Sequence, residues 1–172
     1  GEQLGVNGVR LPISAFSNLV RTLQTSHELG LCHIDVCPDN MFAVGTNQGA
    51  GEYFVLLNDW GSSMTFDEVA IAEQFFTHEL YYDVGNMGAA QDLAALVRSV
   101  FSLTQCTFSP VKTCVELDTH MHSQWSWGGA LDAALNRDYN AVERFLSSGS
   151  LNETEEVTEE VAFASLDISE NS

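Results

Sequence analysis

Two short apolar runs, separated by a segment of turn-forming residues, constrain the fold of this chain more than any other feature. Residues 41–44 read MFAV and residues 53–57 read YFVLL, so each run has the length of a strand. Between them, residues 45–52 read GTNQGAGE, which contains three Gly and one Asn and so favours a turn. This arrangement predicts an antiparallel β-hairpin, and the turn-rich sequence NDWGSS at residues 58–63 predicts its end.

Three longer segments carry apolar residues at intervals of three and four, which is typical of amphipathic helices. They predict helices over residues 14–29, 89–103 and 130–146. Ser14 can cap the first helix, and Gly30 suits the position just after its end, because glycine adopts left-handed backbone angles without strain. With one small hairpin, the fold class is therefore predicted to be mainly α.

The remaining stretches are predicted to be irregular. Residues 64–88 show no sustained period, and residues 104–129 contain Pro110, which favours a loop. His120 and His122 fall within that predicted loop. Two histidines in a solvated loop do not by themselves indicate a metal site, so we assign them no function.

Negative charge dominates the chain and is concentrated towards its end. The net charge is −18, and residues 151–172 contain seven acidic residues and no Lys or Arg. We therefore divide the chain into a domain over residues 1–150 and an acidic tail over residues 151–172 that is predicted to be disordered or docked on a partner. Without a basic patch to bind phosphates, neither nucleic acid nor an anionic membrane is expected as a partner.

The sequence predicts an intracellular protein, either cytoplasmic or nuclear. No apolar run reaches the ~20 residues of a membrane-spanning helix, and no signal segment opens the chain. The cysteines, at positions 32, 37, 106 and 114, are too few and too irregularly spaced for a disulfide framework. A zinc cluster of Cys32, His33 and Cys37 would lack CxxC spacing and a second pair of ligands, so the spacing argues against zinc.

Residues 33–40, HIDVCPDN, form the chemically richest segment, and a second polar motif, DWG, follows at residues 59–61. The first motif lies between a predicted helix and the hairpin, the second lies directly after the hairpin, and a later helix carries Asp92. In this order the segments resemble the C-terminal lobe of a eukaryotic-type protein kinase, whose catalytic loop is written HRDLxxxN and whose metal-binding motif is DFG. The resemblance extends over about residues 14–103.

The resemblance implies a catalytic centre built from three side chains. Asp35 would face the substrate hydroxyl and accept its proton, whereas Asn40 and Asp59 would hold Mg²⁺ together with ATP. Carboxylate and amide oxygens are ligands that Mg²⁺ prefers, and phosphoryl transfer mainly requires positioning and neutralisation of phosphate charge. Asn40 and Asp59 are therefore expected to serve both as metal ligands and as nucleotide-binding residues.

Three further residues take supporting roles by the same resemblance. Phe42, two positions after Asn40, would form the floor of the adenine pocket. His33 would buttress the catalytic loop, and Asp92 would bind the backbone of that loop from the later helix.

The chain also departs from the kinase pattern. Ile34 stands where many kinases have the Arg that senses activation-loop phosphorylation, and Cys37 stands where a Lys or Arg contacts the transferring phosphate. Trp60 replaces the Phe of DFG, and Glu79 is the candidate for the acid of an APE motif. No Gly-rich loop, VAIK lysine or αC glutamate occurs in these 172 residues, so the N-terminal lobe is missing from them.

We therefore expect a divergent protein-kinase-like enzyme that transfers the γ-phosphate of ATP to a protein hydroxyl when an N-terminal lobe or a partner chain completes it. The 172 residues alone are expected to be catalytically silent, because half of the nucleotide site is missing. Two alternatives remain open. One is a catalytically dead pseudokinase or interaction module, and the other is a small-molecule kinase of the aminoglycoside or choline type, which shares the HxDxxxxN pattern.

Overall fold

A computed structural model describes residues 2–3, 11–45, 53–105 and 111–148. Helices make up most of this part of the chain, and none of them is both long enough and apolar enough to cross a membrane. Four 3₁₀ turns, at Ile13–Phe16, Pro38–Asn40, Trp60–Ser62 and Val84–Asn86, connect the larger elements. The α-helices are α1 (Asn18–Glu28), α2 (Phe66–Ile71), α3 (Ala89–Thr104), α4 (Cys114–His122), α5 (Trp125–Leu135) and α6 (Tyr139–Ser148).

The strands form two small antiparallel sheets. They are β1 (Glu2–Gln3), β2 (Leu31–Cys32), β3 (Met41–Gly45), β4 (Tyr53–Leu57) and β5 (Met64–Thr65). One sheet has the order β1-β3-β4, and β2 pairs with β5 in the other. In the predicted hairpin, β3 and β4 pair from Met41–Leu57 to Gly45–Tyr53. The mainly helical fold with a small hairpin is thus confirmed, whereas residues 46–52 of the predicted turn lie outside the described residues.

The first predicted helix begins later than the sequence suggested. Residues 13–16 form a 3₁₀ turn, and α1 starts only at Asn18. Ser14 therefore does not cap the helix; its carbonyl instead accepts a hydrogen bond from Ser17 Oγ at 2.9 Å. The tighter turn buries Ile13 and Phe16 in the core, which explains why it replaces the first turn of an α-helix. Gly30 follows α1 with a φ of 79°, as predicted for a helix end.

Helix α3 is the centre of the domain. Every residue from 91 to 100 is buried, and the helix packs against α1, α4 and α5. The hairpin lies on the same core with one face of each strand, because side chains alternate between faces. The buried residues of that inner face are Met41, Ala43, Val55 and Leu57. A helix buried all round must satisfy its own polar side chains internally, and α3 carries several of them.

The loop predicted over residues 104–129 is wrong for most of its length. Helix α4 begins after Thr113, whose Oγ1 accepts a hydrogen bond from the backbone N–H of Glu116 at 3.1 Å. His120 and His122 are therefore helical, and His122 Nε2 lies 2.9 Å from Asp132 Oδ1 on α5. This helix depends on its N-cap and its neighbours more than on apolar periodicity, so the sequence pattern did not reveal it.

Gly128 has a packing role between two helices in this region. It lies inside α5 and is buried. A Cβ atom at this position would lie 3.0 Å from both Cα and Cδ2 of His122. The glycine therefore allows α4 and α5 to approach each other closely, and it does not mark a loop.

The third predicted helix, over residues 130–146, is two helices. Helix α5 already starts at Trp125 and ends at Leu135, and α6 begins at Tyr139. Arg137 between them has a φ of 56°, and Asp138 Oδ1 accepts a hydrogen bond from the backbone N–H of Ala141 at 3.1 Å. Both helices pack on the same core, so the apolar period continues across the break. The acidic tail lies outside the described residues.

The buried side chain of Arg98 on α3 links several packed segments by hydrogen bonds. It is 1% exposed, and its Nε and Nη2 donate to both carboxylate oxygens of Asp118 at 2.7 and 2.9 Å. Its Nη1 donates to the Tyr81 carbonyl and to Gln91 Oε1, both at 2.9 Å. The guanidinium thus joins α3, α4 and the segment before α3. By contrast, the ion pair of Arg21 with Glu143 is solvent-exposed.

We expect Arg98→Met to lower the free energy of unfolding by about 3 kcal/mol, because it leaves a partly buried carboxylate and two acceptors without their donor. Arg21→Met is the matched control and should cost less than about 1 kcal/mol, since exposed ion pairs contribute little. Urea unfolding followed by circular dichroism measures both. Equal losses in the two variants would show that Arg98 does not join the helices.

Candidate functional site

The loop of residues 33–40 leaves β2 through a strained residue. Ile34 has a φ of 76°, which is unusual for a β-branched residue, and its side chain is fully buried. The backbone N–H groups of His33 and Ile34 donate to Asp92 Oδ2 and Oδ1 at 2.7 and 3.0 Å. Asp92 therefore holds the loop in a conformation that costs about 1–3 kcal/mol when unsupported.

Asp92 is itself fully buried on α3 and has two further partners. Tyr82 donates its hydroxyl to Oδ1 at 2.7 Å, and His27 Nε2 on α1 lies 2.8 Å from Oδ2. Tyr82 also accepts a hydrogen bond from the backbone N–H of Val36, further along the same loop, at 2.8 Å. Four donors around one carboxylate offset its desolvation. The structure thus places Asp92 behind the loop, bonded to its backbone.

His33 connects the loop to the end of the hairpin. Its Nε2 donates to the Asn58 carbonyl at 2.9 Å, and its Nδ1 accepts a hydrogen bond from the backbone N–H of Asp35 at 3.1 Å. The ring also stacks edge-on against Trp60, with 4.5 Å between centroids. Burial lowers the pKa of His33 below its usual value of 6.5. A neutral ring with the proton on Nε2 fits both hydrogen bonds.

Asp35 and Asn40 are in direct contact. Asn40 Nδ2 donates to the Asp35 carbonyl at 2.8 Å and to Asp35 Oδ2 at 3.1 Å. The other carboxylate oxygen, Oδ1, accepts a long hydrogen bond of 3.3 Å from the backbone N–H of His78. Asp35 is half-buried and Asn40 is buried. Because the amide nitrogen of Asn40 faces Asp35, its amide oxygen is directed elsewhere and is the atom that could bind a cation.

Asp59 lies at the corner that follows β4. Its backbone is left-handed, with φ 56° and ψ 65°, and its side chain is exposed. The preceding residue ties this corner to the loop, because the backbone N–H of Asn58 donates to the Asn40 carbonyl at 2.8 Å. Trp60 donates Nε1 to the Leu57 carbonyl at 3.0 Å and so closes the turn. The two motifs are thus adjacent through their backbones.

Phe42 lies on the outer face of the hairpin. It pairs with Leu56 in the register of β3 and β4, and Val44 pairs with Phe54 on the same face. Phe42 and Val44 are half-buried, while Phe54 and Leu56 are exposed by 38% and 44%. In the described part of the chain, this face is therefore a small apolar surface next to Asn40 and Asp59.

A cavity of about 550 Å³ opens beside Asp35. One part of the lining is the loop just described, and a second part comes from residues 75–78, to which the sequence assigned no function. No motif marked these residues, although Glu79, the candidate APE acid, is their neighbour and is exposed. Asp59 does not contribute to the lining. The lining residues are Asp35, Cys37, Asp39, Asn40, Ser62, Phe75, Phe76, Thr77 and His78.

The cysteines near the site are neutral thiols. Burial raises the pKa of Cys37 to about 11 and that of Cys32 to about 12. In the described ranges, the group with the spacing of a metal site comprises His27, Cys32 and Asp92, whose potential ligand atoms lie within 4.8 Å of one another. Because a protonated thiol is a poor metal ligand and His27 and Asp92 already hydrogen-bond each other, we interpret this group as structural.

The kinase resemblance rests on the motifs and the geometry of this chain alone. No family model matches the sequence, and no curated protein matches it either. The functional roles therefore stay predictions for Asp35, Asn40, Asp59 and Phe42. Substitutions at these positions can test them.

Asp92→Asn should lower the free energy of unfolding by about 3 kcal/mol. The asparagine keeps one acceptor oxygen, but its NH₂ group replaces the other. That NH₂ group would face N–H or O–H donors that now bond to Asp92, so these buried donors would be left without an acceptor. Urea unfolding measures the loss. Asp132→Asn, which makes the same chemical change at an exposed position, should cost less than about 1 kcal/mol. Retention of full stability by Asp92→Asn would contradict the supporting role of Asp92.

The His33 ring predicts a pH dependence of stability. Its pKa is lowered on folding, so the unfolded chain takes up a proton more readily than the native one. The stabilisation is therefore complete well above pH 6.5 and is lost as the pH falls below it, by at most about 1.4 kcal/mol per pH unit. We expect His33→Gln to reduce the difference in unfolding free energy between pH 7.5 and pH 5.5. His120→Gln, at an exposed position on α4, should leave that difference as in the wild type; the same reduction in both variants would refute the assignment.

Proposed function

We propose that this domain is the C-terminal lobe of a divergent protein-kinase-like phosphotransferase, which transfers the γ-phosphate of ATP to a protein hydroxyl when an N-terminal lobe completes it. The observation that carries the proposal is the contact between Asp35 and Asn40 at the edge of a cavity, with the Asp59 corner bonded to the same loop. Asp35 and Asn40 thus meet at the cavity, and Asp59 directly follows a residue whose backbone is bonded to Asn40.

Asp35 is suited to orient an alcohol. Its carboxylate lies on the cavity wall and is held by Asn40 on one oxygen and by the His78 backbone on the other. A carboxylate fixed in this way can accept a hydrogen bond from a substrate hydroxyl and take its proton as the phosphate is transferred. The fixed position matters more than basicity, because phosphoryl transfer depends mostly on alignment.

Asn40 and Asp59 provide the donor atoms that a Mg²⁺–ATP site requires. An amide oxygen and a carboxylate are hard ligands and fit a hard cation, which would neutralise the phosphate charge when bound. Asp59 also adopts a left-handed backbone that is uncommon for a residue other than glycine. Such strain is often retained at functional sites, so it supports a role for this carboxylate.

The apolar outer face of the hairpin is consistent with a second lobe that covers it. Phe42, Val44, Phe54 and Leu56 form an apolar surface beside the proposed metal ligands. Under this proposal Phe42 would contact the adenine ring, and an N-terminal lobe, on the same or a partner chain, would cover the nucleotide. Without an N-terminal lobe, the domain would contact the phosphates of ATP from one side only and would not catalyse transfer.

A pseudokinase is the second candidate, and one observation favours it. Among the described residues that line the cavity there is no Lys or Arg, and the Cys37 thiol, with a pKa of about 11, supplies no charge in their place. A domain without nucleotide chemistry would show no thermal shift with Mg²⁺ and ATP even when completed. A small-molecule kinase would share the proposed chemistry and differ only in the acceptor.

Mutants of the completed protein test the proposal. Asp35→Asn should reduce transfer of labelled γ-phosphate to a protein acceptor by about 10²–10⁴-fold, because the proton acceptor is lost. Asp59→Asn should raise the dissociation constant for Mg²⁺–ATP, measured by calorimetry. Asp132→Asn is the control for charge and should change neither. If Asp35→Asn and Asp59→Asn both behave like the wild type, the proposal is wrong.

A further inference from the structure

The cavity beside Asp35 has two walls of different character. The loop contributes Asp35 and Asp39 to the lining, and residues 75–78 contribute Phe75 and Phe76. Its volume of about 550 Å³ falls within the range of roughly 300–1,000 Å³ that is common for ligand pockets. The backbone of His78 joins the two walls through its hydrogen bond to Asp35. The cavity is a recess that is largely open to solvent.

The charges around this recess favour a cation. Asp35 and Asp39 are its acidic groups, and the part of its lining that the structure describes contains no Lys or Arg. The whole chain carries a net charge of −18, which attracts cationic ligands at long range. The Cys37 thiol between the two acids stays neutral, since burial raises its pKa to about 11.

The aromatic wall can bind a cation directly. Phe75 is anchored, because it packs against the buried cluster of Cys32, Ile34 and Ala89. Phe76 lines the recess and is nevertheless 75% exposed. An ammonium or guanidinium group over a phenyl face gains about 0.5–1 kcal/mol at exposed sites and more when desolvated. Aromatic and acidic residues that line one recess can therefore both attract the same positive group.

The recess also contains an unused polar atom. Thr77 Oγ1 is buried and has no hydrogen-bond partner among the described residues. A buried hydroxyl without a partner costs about 1–3 kcal/mol. A ligand that carries N–H or O–H groups would provide a hydrogen-bond partner for Thr77 Oγ1 after a small rotation of the threonine side chain. An apolar ligand would provide none.

We propose that this recess binds an alcohol that carries its own positive charge. Its ammonium or guanidinium group lies between Asp39 and the rings of Phe75 and Phe76, and its hydroxyl reaches Asp35. The inference rests on the proposed function, which it deepens by naming the acceptor class. The described lining contains two carboxylates and no Lys or Arg, so a cationic acceptor complements its charge. The ligand is either a peptide with Arg or Lys beside Ser or Thr, or a small amino alcohol.

Binding to the 172-residue chain without nucleotide tests the inference. One arm uses a peptide of alternating Arg and Ser residues and its counterpart with Glu in place of Arg. The other arm uses choline and 3,3-dimethyl-1-butanol, which has the same shape and no charge. Calorimetry should show at least about tenfold tighter binding of the charged member in one or both arms, equivalent to about 1.4 kcal/mol. The arm that responds identifies the source of the alcohol, and no preference in either arm overturns the inference.

Variants separate this recess from general attraction to an acidic protein. Phe76→Ala and Asp39→Asn should each weaken binding about three- to tenfold. Both positions are exposed, so both variants should fold, which circular dichroism checks. Asp132→Asn removes the same charge on α5, away from the recess, and should leave binding unchanged. An equal loss with Asp132→Asn and Asp39→Asn would show non-specific attraction and overturn the inference.

Failure of this inference and failure of the proposed function give different results. If the chain binds the charged ligand but the completed protein transfers no phosphate, only the enzymatic proposal fails. If the completed protein phosphorylates the Arg and Glu peptides equally well and choline no better than its neutral counterpart, the enzyme stands and the cationic acceptor is wrong.

Discussion

The carboxylate of Asp92 is the group on which the candidate site depends. It lies on α3, which is buried from residue 91 to residue 100, and accepts hydrogen bonds from His27, His33, Ile34 and Tyr82. Burying a charge is costly unless it is fully hydrogen-bonded, and these donors come from α1, the loop and the segment before α3. One side chain therefore couples the packing of the core to the conformation of the loop.

The order imposed by Asp92 extends to the proposed catalytic residues through the backbone. Asp92 holds Ile34 in its strained conformation, and His33 then bonds to both Asp35 and Asn58. Asn58 in turn bonds to Asn40. Asp35, Asn40 and Asp59 are thus each within two residues of a backbone hydrogen bond that leads back to the core. A site built in this way is preorganised even though Asp35 is partly exposed and Asp59 is exposed to solvent.

The fold could be predicted where local pattern and burial agree. The apolar runs on either side of residues 45–52 became β3 and β4, and the periodic stretch around Leu93 and Val97 became α3. The predictions failed where long-range contacts decide. Gly128 looks like a loop residue but allows two helices to touch, and Arg137 breaks a helix although the apolar period continues. Neither reason is visible within a short window of sequence.

The sequence by itself determined which chemistry is available: acids, amides and a histidine in two short motifs, and six Lys and Arg against 24 Asp and Glu. It also indicated the order of helix, loop, hairpin and helix. Only the tertiary structure decided that Asp35 and Asn40 touch, that the Asp59 corner is bonded to their loop, and that Phe75 and Phe76 line the same recess as Asp35 and Asp39. Residue types and periods are local properties, whereas cavities and buried carboxylates arise when distant segments pack together.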